Sequence, residues 1–141
     1  MTGASIITRH LEQLRVYLER LAELRQHSRT TLQNDWHIQS MVERNLQLAI
    51  EVVISVSEQV IASLSLPTPE SGRDALSALA DAGVIPRDLA TELQQAVGFR
   101  NIIVHQYTGI DYDLVYDALQ NDLGQIEAFL IAISKFLQTQ S

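Results

Sequence analysis

The apolar residues of this chain recur at alternating spacings of four and three along almost its whole length. That spacing is the period of an amphipathic α-helix, and no segment shows the period-two alternation that predicts a half-buried strand. The N-terminal segment has five such residues on one stripe, with charged residues on the opposite side: Ile7, Leu11, Leu14, Leu18 and Leu21. The pattern predicts an all-α bundle and argues against every sheet architecture.

Capping residues and helix breakers divide the pattern into about five helices, three of them long. Asn34 or Asp35 can cap the second helix, which continues to Leu64. Because this helix is apolar on most of its sides near its middle, we expect it to be central. The later boundaries are set by residues that cap, end or open helices: Ser71, Gly83, Pro86, Gly109, and Asp111 or Asp113. We predict one domain over residues 1–141, an up-and-down helical bundle that dimerises.

Composition limits the chemistry. The chain has 141 residues, no cysteine and a net charge of −7. The lack of cysteine excludes disulfides, thiolate catalysis and thiolate metal sites. The negative charge opposes loose binding to nucleic acid, which depends on neutralising many phosphates, but it is compatible with an enzyme that binds one phosphate locally. The apolar runs are short and the N-terminus has no signal-peptide core, so we expect a cytoplasmic protein without membrane contact.

The sequence predicts no metal site and no cofactor. None of the four histidines forms a pair three or four residues apart, so a zinc site is not expected. Asp111-Tyr112-Asp113 has the spacing of a metal-binding carboxylate pair. We interpret it instead as a helix cap with a second negative charge at the helix start.

Chemistry-bearing residues are concentrated in Arg-Asn-Ile-Ile-Val-His-Gln-Tyr, residues 100–107. RNA cleavage without a metal needs a base for the ribose 2′-OH, an acid for the departing 5′ oxygen and a cation for the phosphorane. His105 can be the acid or base, and Arg100 can bind two phosphate oxygens. Asn101 can orient a phosphate or fix the imidazole tautomer. The segment predicts cleavage of RNA, because only RNA carries the internal nucleophile.

Helix geometry complicates this hypothesis. Asn101 and His105 are four residues apart and share a helix face, whereas Arg100 and His105 are rotated by about 140°. Either the helix bends near Gly98 or two protomers combine their side chains at one phosphate. A two-fold dimer also supplies two histidines to one cleft, one as base and one as acid. We therefore predict a dimeric site.

The R-N-x-x-x-H-x-Y pattern resembles the signature of the HEPN ribonucleases, and in particular the HepT toxins of HepT–MntA toxin–antitoxin systems. Chain length, helix order and the Glu43–Glu51 stretch also fit. The resemblance implies a HEPN-like fold and a homodimeric, metal-independent endoribonuclease, with transfer RNA as the favoured substrate. It implies that Arg100 and His105 are catalytic and that Asn101 is the polar residue beside the arginine. It also implies that an MntA-like nucleotidyltransferase adds AMP to Tyr107.

A second hypothesis comes from a different functional class. An acidic bundle with apolar seams is a reasonable non-catalytic subunit that positions or regulates a minimal nucleotidyltransferase. Growth arrest on expression separates the two hypotheses, because a docking subunit is expected to be harmless.

Overall fold

The computed structural model describes residues 3–105 and 109–140, with only the backbone of residues 102–105. Over these ranges the chain has no strand and folds into six helices: α1 (Gly3–Leu24), α2 (Arg29–Asn34), α3 (Trp36–Ser63), α4 (Gly72–Asp81), α5 (Arg87–His105) and α6 (Tyr112–Thr139). The predicted all-α class is confirmed. The sequence pattern missed the one-and-a-half-turn α2, which is too short to show a period.

Helix α3 is the centre of the bundle, as its apolar middle predicts. It packs against every other helix, most extensively against α1. By length and composition alone it could span a membrane. In the fold, however, its apolar residues form the core, with Val42, Leu46, Ala49, Val56 and Val60 fully buried.

The predicted caps are confirmed in atomic detail. Asp35 caps α3, and its side chain accepts hydrogen bonds from the backbone N–H groups of His37 and Ile38. Ser71 caps α4 and Asp111 caps α6 in the same way. Gly83 follows α4 with a φ of +76°, a conformation that glycine adopts without steric cost.

The predicted apolar stripe of α1 is buried in full and packs on α3 and α6. Helix α5 buries Leu89, Leu93 and Val97, as predicted, and continues through Gly98 to His105. The guanidinium of Arg73, from α4, lies against Gly98 where a Cβ atom would otherwise be. Residues 100–105 thus form the last turns of a helix anchored by its first three turns.

Candidate functional site

Arg100 lies near the C-terminal end of α5, and its guanidinium points towards α3. Its Nη1 donates to Glu51 Oε1 at 3.3 Å, and its Nη2 donates to Asn101 Oδ1 at 2.8 Å. Among the described residues, Arg100 Nε is buried without a hydrogen-bond partner. A guanidinium has five N–H donors, so the two contacts fix its orientation and leave donors for an anion.

Two of the predicted site residues, Arg100 and Asn101, are therefore in direct contact. Asn101 is exposed, and its acceptor oxygen is used by Arg100, which leaves its NH₂ group as a donor. The side chain of His105 is outside the described residues, although its backbone closes α5. Tyr107 also lies outside them. Whether these four residues converge on one phosphate stays a prediction.

Glu51 is a polar partner to which the sequence reasoning gave no role. It lies in the middle of the central helix, and its Oε1 also accepts from Gln47 at 3.2 Å. The side chain of Glu51 is 40% exposed and that of Arg100 is 24% exposed, so solvent only partly screens the ion pair. In the sequence, this contact could have been indicated by the polar pair Gln47 and Glu51, which lie one turn apart on an otherwise apolar stretch.

A second polar contact joins α3 to the start of α6. Tyr112 Oη donates to Glu43 Oε2 at 3.0 Å. Burial and this hydrogen bond raise the pKa of Tyr112 to about 12, and burial raises the pKa of Glu43 despite the opposing effect of the bond. Tyr112 is thus a neutral hydrogen-bond donor at neutral pH.

The two contacts bracket the segment that contains Tyr107. Arg100 precedes it and is held by Glu51, while Tyr112 follows it and is held by Glu43. Glu43 and Glu51 are eight residues apart on α3, which corresponds to about 12 Å along the helix axis. Helix α3 therefore holds the side chains of Arg100 and Tyr112, the described residues that flank this segment in sequence.

The Asp111–Asp113 pair has structural partners that explain it. Asp111 accepts from the backbone N–H of Asp113 as the N-cap of α6. The carboxylate of Asp113 accepts from Arg29 at 2.7 Å and from Gln33 at 2.8 Å. Arg29 also contacts Asp117 and lies over the ring of Tyr116. Among the side chains of residues 3–101 and 109–140, no group of three or more histidines or carboxylates could hold a metal ion.

Comparison with known proteins identifies the family of this fold and motif. Residues 5–133 match the family described as ribonuclease HepT-like. The chain belongs to the HepT-like ribonuclease family. An mRNA nuclease HepT from Shewanella oneidensis is 33% identical over 99 residues, covering 70% of this chain and 74% of that protein. A tRNA nuclease HepT from Aphanizomenon flos-aquae is 26% identical over 134 residues, covering 95% of this chain and 91% of that protein.

Solved structures share the HepT-like fold. A tri-AMPylated HEPN toxin from Shewanella oneidensis, in complex with an MNT antitoxin, has a TM-score of 0.86 and 27% identity, covering 96% of this chain and 99% of that one. YutE from Bacillus subtilis, described as a cytosolic protein of unknown function, has a TM-score of 0.83 and 22% identity, covering 96% and 91% of the two chains. The expected HEPN-like fold is thus confirmed.

Proposed function

We propose that this protein is a cytoplasmic endoribonuclease toxin that cleaves RNA without a metal ion. The observation that carries the proposal is the arrangement of Arg100, whose Nη1 and Nη2 are held by Glu51 and Asn101 while each keeps a further N–H donor. A fixed guanidinium with free donors suits a phosphate whose charge grows during reaction. The names of the relatives, an mRNA nuclease and a tRNA nuclease, support an RNA substrate.

In the proposed reaction, His105 removes the proton from the ribose 2′-OH, whose oxygen attacks the adjacent phosphorus. The bond from phosphorus to the 5′ oxygen breaks, and a second imidazole protonates that oxygen. Arg100 binds the non-bridging oxygens throughout, and the NH₂ group of Asn101 orients one of them. The products are a 2′,3′-cyclic phosphate and a 5′-hydroxyl.

The active form in this proposal is a homodimer. Helix α5 continues through Gly98, and in a regular helix Arg100 and His105 are rotated by about 140°, so two protomers are proposed to bring them to one phosphate. The two-fold arrangement supplies the base from one protomer and the acid from its partner. Mixing His105→Ala protomers with wild-type protomers should therefore give heterodimers of very low activity. If each site lay within one protomer, the heterodimers would retain half of the wild-type activity.

An RNA digest with EDTA present tests the activity. We expect cutting of transfer RNA or messenger RNA by the native protein, with cyclic-phosphate ends, and no cutting by His105→Ala at unchanged far-ultraviolet circular dichroism. A strict requirement for added magnesium contradicts the mechanism. Growth arrest on expression, lost in Arg100→Ala, separates the toxin from the alternative of a non-catalytic nucleotidyltransferase subunit.

We further propose that a cognate MntA-like nucleotidyltransferase inhibits the enzyme by adding AMP to Tyr107. The complex of a tri-AMPylated HEPN toxin with its MNT antitoxin supports this idea. A negatively charged adduct next to the cleft repels RNA and occupies its space. Intact-mass measurement after incubation with the partner and ATP should show AMP increments that Tyr107→Phe abolishes. An unchanged mass gain in Tyr107→Phe refutes the assignment of the residue.

A further inference from the structure

Trp36, at the start of α3, is an exposed aromatic residue outside the site described above. Its side chain is 66% exposed, the highest value among the large apolar residues of the described ranges. Its ring stacks on that of His37, with 3.7 Å between centroids and 28° between planes. At this exposure most of the indole is accessible to a ligand.

The surface next to the indole combines polar and apolar groups in equal measure. Trp36 lines a cavity of about 420 Å³ together with Thr30, Thr31, Asn34 and Asp35. A hot-spot pocket for a protein partner is typically apolar and closed to water. Hydroxyl, amide and carboxylate groups beside an aromatic ring instead match a nucleobase, which has a stacking face and a hydrogen-bonding edge.

Hydrogen-bonding capacity is available in this cavity. Asp35 uses Oδ1 for both of its capping bonds, to the N–H groups of His37 and Ile38, so Oδ2 can accept from a base amino group. Asn34 donates from Nδ2 to the carbonyl of Thr30, which leaves Oδ1 as an acceptor. The acceptors favour bases that present amino or imino N–H groups.

Helix α3 connects this surface to the candidate active site. Trp36 and Glu51 are fifteen residues apart, which corresponds to about 22 Å along the axis and about 60° around it. The exposed Arg44 lies between them, within about 20° of Glu51 around the helix. At about 3.4 Å per stacked nucleotide, the distance corresponds to about six nucleotides.

We infer that Trp36, stacked on His37 and flanked by Thr30, Thr31, Asn34 and Asp35, binds one unpaired base of the RNA substrate about six nucleotides from the cut. This inference rests on the proposed ribonuclease function. It also explains how a chain of net charge −7 holds RNA. Base stacking on an aromatic ring does not depend on neutralising phosphates, so it supplies affinity where the overall field is unfavourable.

The protein contains one tryptophan, so its fluorescence reports on this surface directly. His105→Ala protein, which should not cut, is titrated with single-stranded RNA of twelve nucleotides, and tryptophan emission and RNA anisotropy are recorded together. We expect quenching that saturates at the same RNA concentration as anisotropy. Anisotropy saturation without any change in emission overturns the inference and leaves the proposed function intact.

Kinetics give the matched control. Trp36→Ala should raise KM for the twelve-nucleotide RNA about tenfold, with kcat unchanged, because one stacked base is lost. The effect should be absent for a dinucleotide, absent in Trp36→Phe, and equal at low and high salt. Ile131→Ala, which removes another exposed apolar side chain, should have no effect.

Two other outcomes are decisive. If wild-type protein neither binds nor cuts any RNA, the proposed function fails together with the inference. If RNA is cut with the same KM by Trp36→Ala, and emission changes only when the nucleotidyltransferase is added, the surface belongs to a protein partner and the inference alone is wrong.

Discussion

Replacing Glu51 by glutamine tests whether its carboxylate positions the Arg100 guanidinium. The two charges are 3.3 Å apart, which corresponds to an attraction of about 1 kcal/mol in water and about 5 kcal/mol at an effective dielectric constant of about 20. Because both side chains are partly exposed, solvent screening limits their net attraction to about 1 kcal/mol. The substitution keeps the shape of the side chain and removes its charge.

We expect Glu51→Gln to lower kcat about fivefold, because about 1 kcal/mol of transition-state orientation is lost. KM should stay unchanged or fall, since a negative charge next to the phosphate site is removed. Steady-state cleavage of a fluorogenic RNA measures both parameters. Glu58→Gln makes the same change at an exposed position two turns along α3 and is the control.

A double substitution separates positioning from indirect damage. In an Arg100→Lys background there is no planar fork to orient, so adding Glu51→Gln should leave kcat unchanged. An equal loss in both backgrounds, or a raised KM with normal kcat, refutes the positioning role.

Three further predictions concern stability. Burial raises the pKa of Asp122 to about 6, above the unfolded value of about 3.9. The contribution of this carboxyl to the free energy of unfolding is therefore complete below about pH 4 and is lost as pH rises through about 6. Asp122→Asn should therefore stabilise the protein by about 1 kcal/mol at pH 8, after allowance for solvent screening, and by nothing at pH 4; urea unfolding at both values decides this. Asp111→Ala removes the α6 cap and should cost about 1 kcal/mol in the same assay, whereas Glu127→Ala within α6 should cost little. Gly98→Ala displaces the flexible end of Arg73 and should raise the melting temperature through a helix-propensity gain of about 0.5 kcal/mol, and a fall would show that the Arg73 contact matters more.

The fold was largely predictable because its helices are amphipathic and explicitly capped. Buried stripes at helical spacing and the caps Asp35, Ser71 and Asp111 are local features, and each was found where the sequence indicated it. Helix α2 was not predicted because only one of its six residues, Leu32, is buried. One buried side chain defines no period.

The candidate site was only half predictable. Arg100 and Asn101 are neighbours in sequence, so their association followed from the motif. The contacts of Arg100 with Glu51 and of Tyr112 with Glu43 join residues 49 and 69 positions apart. Such pairings depend on how α5 and α6 pack against α3, and a single sequence contains no direct record of that packing.

The central position of α3 has a consequence for how the protein loses activity. The same helix carries the core and both carboxylates that contact Arg100 and Tyr112, so loss of the core also removes these two contacts. Heat inactivation and melting should therefore coincide as one cooperative event. Within one folded protomer we therefore expect no loss of these two contacts ahead of the core, and inhibition of a folded molecule requires a change at its surface.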